Sequence, residues 1–243
     1  MVHSPTYTEL TDEAMTLKLY ELCSADADHI FSPHCWKIRM ALAHKGLQFE
    51  SVSTPFTSVA GIEAGEKRKV PVLRDGDTVV EESFEIARYL DEKYPDAPSL
   101  LGGPAGEALT QFIISWSMAT LHPEVTKVAL MDIYESLAPD DQVHFRTTRE
   151  IMLGCTLEEF AAKFPKDGNG LAKALNSVEK MLARQPYFGG ESPMFADYVV
   201  FGALQWARLT CKEQVVPQTG AVAEWMDRLL DMYEGMGRKA KAA

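Results

Sequence analysis

The sequence predicts two domains: a small α/β domain followed by one built only of helices. Three observations carry that expectation. Strand and helix signals alternate through the first hundred residues. A stretch rich in Pro and Gly, residues 96–106 (DAPSLLGGPAG), then interrupts the pattern. Beyond it, apolar residues recur at helical spacing and no strand alternation is visible. The boundaries read as a polar extension at 1–14, the α/β domain at 15–95, the linker at 96–106, the helical domain at 107–235 and a basic, frayed tail at 236–243.

The elements follow in order. Leu17 to Leu22 alternates apolar and polar residues, as a half-buried strand does. Ser32-Pro33 opens a helix, since Ser is a good N-cap and Pro suits the first helical position. Trp36, Met40 and Ala43 give that helix an apolar face, and Gly46 stops it. Gln48 to Phe56 reads as a second strand. Residues 57–69, Gly-rich and charged, read as a loop or short irregular helix. Val70-Pro71-Val72-Leu73 begins a third strand, Asp75-Gly76 marks a hairpin turn, and Thr78-Val79-Val80 returns. Ser83 caps a helix holding Ile86, Ala87 and Leu90. In the second domain Leu171, Leu175, Val178 and Leu182 form an amphipathic stripe. Val199 to Leu209 suits a buried helix, and Trp225, Leu229 and Met232 mark a last one.

Composition narrows the function. The 35 acidic and 24 basic residues leave a formal charge of −11. Such a chain is poorly suited to phosphate backbones or anionic membranes, so neither nucleic acid nor membrane is expected as a partner. The first residues carry neither the basic start nor the apolar segment of a secretion signal. Cys23, Cys35, Cys155 and Cys211 form no CxxC pair and no zinc-type cluster with the six histidines. They read as free thiols in a reducing cytoplasm. No HExxH, P-loop or GxGxxG motif is present, so metallohydrolase and nucleotide chemistry are disfavoured and no metal is expected. Cys35 reads as a small buried hydrophobe, and Trp116, Met118, His122 and Tyr134 as core residues or as lining of an acceptor pocket.

Three features can carry chemistry. Ser32, at a helix start, is either a plain N-cap or a hydroxyl donor to a bound anion or thiolate. Val70, before Pro71, is either ordinary strand or, with a cis bond, a backbone edge for an extended peptide. Glu82 and Ser83 together suit an ammonium and a carboxylate, or form an ordinary acidic cap.

Taken jointly, the Ser-Pro helix, Val-Pro strand, Glu-Ser helix, Pro-rich linker and helical second domain resemble the cytosolic glutathione transferase superfamily. The resemblance covers roughly residues 15–235. It implies a thioredoxin-like N-terminal domain and an all-α C-terminal domain, with glutathione as co-substrate and a small hydrophobic or aromatic electrophile as partner. It implies that Val70 pairs with the cysteinyl backbone of glutathione and that Glu82 and Ser83 hold its γ-glutamyl group. Lys69 would meet the glycine carboxylate, and Ser32 would take the thiol-activating position. A homodimer is implied too. A narrower likeness is carried by SPHCWKIRMALAHKG (32–46), YLDEKYPD (89–96), FRTTRE (145–150), GCTLEE (154–159), Ala196-Asp197-Tyr198, Phe201-Gly202 and QWAR (205–208). These resemble bacterial glutathione-dependent β-etherases and related fungal transferases. That implies cleavage of β-aryl ethers of lignin-derived aromatic ketones. Transfer to other electrophiles or peroxides, and a non-catalytic glutathione-fold binding module, stay open as alternatives. Met194 departs from the wider family, which caps the core helix with Ser or Thr there, and so leaves Asp197 without that partner.

Overall fold

A computed structural model describes residues 17–65 and 68–243. The extension expected at 1–14 lies outside the described residues. The N-terminal elements are β1 (Leu17–Leu22), α1 (Pro33–His44), β2 (Phe49–Thr54), an irregular 3-10 segment (Phe56–Ala64), β3 (Val72–Asp75), β4 (Thr78–Glu81) and α2 (Ser83–Lys93). They form a mixed sheet of order β2-β1-β3-β4. β2 runs parallel to β1, with Leu19 opposite Ser51, and β3 runs antiparallel, with Leu19 opposite Leu73. A parallel pair needs a crossover, and α1 supplies it.

The hairpin turn falls one position later than expected. Asp75 stays in the ladder opposite Thr78, so the turn residues are Gly76 and Asp77. Asp75 is held there because its buried carboxylate accepts from the Tyr89 and Tyr94 hydroxyls at 2.9 and 2.7 Å. The cap of α2 also shifts. Glu82 occupies the N-cap position and Ser83 is the first helical residue.

The second domain contains α3 (Pro104–Trp116), a π turn (Ser117–Leu121), α4 (His122–Ser136), α5 (Pro139–Leu153), α6 (Leu157–Ala161), α7 (Asn169–Ala174), α8 (Asn176–Leu182), α9 (Phe195–Thr210) and α10 (Ala221–Gly235). The stripe Leu171, Leu175, Val178, Leu182 is buried as expected, but it spans two short helices that meet at Leu175.

α9 is the axle of the molecule. Nearly all of its side chains are buried, and it packs most extensively against α1. α1 therefore lies between the sheet and α9. That explains why Cys35, Trp36, Ile38, Met40 and Leu42 are all buried, on every side of the helix. Asp197 is not left wanting. Its carboxylate accepts from the backbone N–H groups of Phe188 (2.9 Å) and Met194 (2.8 Å) and from the Trp225 indole (2.8 Å). Burial nevertheless pushes its pKa up to about 6.

The tail is docked rather than frayed. The Arg238 guanidinium bonds Asp231 (2.5 Å) and Asp227 (2.9 Å) on α10, and the Gly237 carbonyl accepts from the Gln205 amide at 2.8 Å. Lys241 pairs with Asp26 in the loop after β1. A basic segment laid against acidic side chains of α10 and of the loop after β1 gains partners that its composition alone does not reveal. Among the described residues no helix is long and apolar enough to cross a membrane.

Candidate active site

The two domains enclose a cleft of about 710 Å³. One wall comes from the N-terminal domain: Phe31 and Ser32 before α1, Phe56 and Val59 in the 3-10 segment, and Lys69 and Val70 before β3. The other comes from the helical domain, with Met118 and His122, Ile133 on α4, Phe145 and Arg149 on α5, and Trp206 on α9. The surface is mostly apolar and aromatic, as small-molecule clefts are.

Ser32 is buried and caps α1. Its Oγ accepts from the Cys35 backbone N–H at 3.4 Å. A hydroxyl that accepts through a lone pair keeps its own hydrogen free to donate. The plain cap and the donor are thus the same side chain. No acidic residue occupies the first turn of α1, so the positive end of its dipole is uncompensated there. Cys35 is fully buried, and burial pushes its thiol up to about 12. Burial raises Cys23 as well. Neither thiol is suited to act as the nucleophile.

Of the expected residues, the structure brings Ser32, Lys69 and Val70 to one wall of the cleft. The Val70–Pro71 bond is cis. Lys69 is exposed and makes no ion pair among the described residues. Glu82 and Ser83 stand off the cleft wall, at the start of α2. Glu82 holds a left-handed backbone, φ 64, which costs a non-glycine residue roughly 1–3 kcal/mol. Strained positions of this kind cluster at ligand clamps.

Several residues were not legible as a group. Lys37 is fully buried on α1 and donates to His34 Nδ1 at 3.0 Å. Burial pushes Lys37 down to about 8, opposed by the Glu82 charge. Burial, helped by the Lys37 charge, holds His34 neutral. His34 stacks on His122, ring centroids 5.4 Å apart. Burial, again with Lys37, pushes His122 down to about 4. Arg149 lies over the Phe145 and Phe56 rings at 4.8 and 5.7 Å. It faces no carboxylate among the described residues. Met118 and His122 line the cleft. Trp116 and Tyr134 do not: Trp116 packs against the core, and Tyr134 stacks under Arg146 at 4.6 Å.

Residues 28–98 match the family model for the glutathione S-transferase N-terminal domain, and residues 108–233 match the C-terminal domain model. Glutathione S-transferase Z1 of Arabidopsis thaliana is 29% identical over 131 residues, which is 52% of this chain and 56% of that protein. Glutathione S-transferase 3 of Zea mays is 28% identical over 203 residues, 79% of each chain. The match to the first of these covers little more than half of that relative. Among solved structures, a glutathione S-transferase of Ceriporiopsis subvermispora in complex with glutathione superposes with a TM-score of 0.78 at 22% identity, covering 94% of this chain and 98% of that one. Glutathione transferase GSTFuA3 of Phanerochaete chrysosporium gives 0.72 at 23% identity, covering 92% and 94%. At these identities the likeness is one of fold: a thioredoxin-like N-terminal domain with a helical C-terminal domain. With both domain models matched in order and the second spanning half of the chain, the protein belongs to the glutathione S-transferase family.

Proposed function

We propose that this chain is a glutathione-dependent transferase in which Ser32 stabilises the glutathione thiolate and the interdomain cleft receives the electrophile. In this reading the tripeptide lies along Val70, its glycine carboxylate meets Lys69, and its γ-glutamyl head meets Glu82 and Ser83. The observation that carries the reading is the Ser32 hydroxyl capping α1, whose first turn holds no acidic residue, on the wall of an apolar cleft.

The energetics suffice. A free thiol has a pKa of about 8.5, so little of it is ionised at neutrality. A hydrogen bond to a charged group is worth roughly 1.5–3 kcal/mol, the helix end adds about 0.3–1 kcal/mol, and one pKa unit is about 1.4 kcal/mol. Ser32 alone thus lowers the thiol by about one to two units, and Ser32 with α1 by about one to three. No protein base is needed, because water takes the thiol proton.

The finer reading is cleavage of β-aryl ethers of lignin-derived aromatic ketones. The thiolate sulfur attacks the carbon that bears the ether oxygen. A carbon–sulfur bond forms, the carbon–oxygen bond breaks, and a phenolate leaves and takes a proton from water. Arg149 supports this reading, since its cation lies over the Phe56 and Phe145 rings in the cleft and faces no carboxylate among the described residues. We further propose a homodimer in a reducing compartment, in keeping with four unpaired thiols.

Ultraviolet titration of bound glutathione tests the core of the proposal. Ser32→Ala raises the bound thiol pKa by about one to two units. An unchanged value removes Ser32 from the mechanism. A panel of β-aryl ether ketones, chlorinated aromatics and peroxides, with product analysis, tests the electrophile.

A further inference from the structure

His122 and Trp206 hold two buried nitrogens without partners on the helical wall of the cleft. His122 is 7% exposed, and its Nε2 meets no hydrogen-bonding group. The Trp206 Nε1 is equally shielded and equally unpartnered. Both residues line the cleft, with ring centroids 5.8 Å apart. Buried polar atoms are nearly always satisfied in folded proteins, and the exceptions concentrate where something else binds.

His122 Nδ1 lies 3.1 Å from the Ser117 carbonyl oxygen and 3.2 Å from the Ser117 hydroxyl. The carbonyl only accepts and the hydroxyl can accept as well, so the tautomer with its hydrogen on Nδ1 satisfies both. The ring is neutral, so Nε2 presents a bare lone pair. An indole nitrogen only donates. An acceptor and a donor thus lie on neighbouring rings. His34, held by Lys37, stacks on His122 and keeps its ring from turning.

We infer that His122 and Trp206 form a subsite selecting aromatic electrophiles that carry a hydroxyl group. The hydroxyl oxygen accepts from the Trp206 indole, and its hydrogen goes to His122 Nε2. A ketone or ether oxygen satisfies the indole alone. An ammonium strands a charge in apolar surroundings. The neighbouring Phe31, Phe56 and Phe145 rings suit a flat aromatic carrier. The inference rests on the cleft being the acceptor site of the proposed transferase.

Isothermal titration with 2-naphthol and 2-methoxynaphthalene tests it. The wild-type protein binds the naphthol about tenfold more tightly, the worth of one to two neutral hydrogen bonds. The ratio falls to about one in His122→Phe, whereas Trp206→Phe weakens both ligands alike and keeps the ratio. Because the ratio is read within each variant, any general loss of fit cancels. A wild-type ratio near one, as when only a buried water occupies the subsite, overturns the inference, and so does a ratio that His122→Phe keeps or a Trp206→Phe variant that binds both ligands as tightly as the wild type. Thioether formation from glutathione and 1-chloro-2,4-dinitrobenzene is measured on the same wild-type preparation. Turnover with a ratio near one removes the subsite and leaves the transferase. A tenfold ratio without turnover upholds the subsite and removes the thiol chemistry.

Discussion

Arg149 carries its charge into an apolar cleft and rests on the faces of Phe145 and Phe56. Burial lowers its basicity, yet a guanidinium stays protonated at any physiological pH. In the proposed β-ether cleavage that charge meets the departing phenolate. Arg149→Leu should therefore slow phenol release by roughly ten- to hundredfold, while thioether formation with a chlorinated aromatic changes less. Equal losses on both substrates would assign Arg149 to the shape of the cleft instead. Asp197 acts on stability. Its carboxylate answers three donors, and Asp197→Ala leaves all three unpaired inside the protein. The expected cost is about 3 kcal/mol or more, read as a lower urea midpoint. Asp197 illustrates what was legible at this scale. Its position was readable and its partners were not, because two of the three are backbone groups that folding brings near. Ser32 was legible because a helix start writes its own sequence signal. His122 was legible only as one of four residues that could be core or pocket lining, and Arg149 was not legible. Spacing shows which face of a helix is apolar, but not which part of that face domain packing leaves open to a cleft.

α1 and α9 meet so closely that Gly202 has no room for a side chain. A Cβ there would sit 2.4 Å from the Pro33 carbonyl oxygen and 3.4 Å from Lys37 Cγ. Pro33 follows Ser32 directly, so the contact fixes the turn that presents the hydroxyl. Gly202→Ala is expected to cost roughly 1–3 kcal/mol through overpacking. It should also blunt thiolate formation, although residue 202 touches no proposed ligand. Thermal melting and the ultraviolet titration of bound glutathione read the two effects, and a variant with an unshifted thiol pKa would show that the helix contact does not set the site. The sheet strands, α1, α2 and the buried α9 were legible from alternation, caps and apolar length. The break between α7 and α8 was not. The apolar stripe runs through it unchanged, and no Gly or Pro marks Leu175 as the joint.

Acid sensitivity belongs to the molecule as a whole. Burial lowers the basicity of His29, His34, His44 and His122 together. An unfolded histidine takes up a proton near pH 6.5. His122 does so only near pH 4 in the folded protein. The stability these groups contribute is fully present above about pH 6.5 and is lost as pH falls through their folded values. Asp197 and Glu21, raised by burial, push the other way below that point, but they are two against four. Urea unfolding should show lower stability at about pH 5 than at about pH 7. His122→Phe should flatten the dependence by up to about 1.4 kcal/mol per pH unit. A profile that rises towards acid, or a variant with an unaltered slope, would contradict this. The domains are also tied across the cleft. Asp141 on α5 accepts from the backbone N–H groups of Phe56 and Thr57, at 3.0 and 2.9 Å, at the head of the 3-10 segment. That clasp keeps the halves from swinging apart like jaws. A guest must squeeze past the rim one ring at a time, so residence times should lengthen steeply with the girth of the molecule held inside.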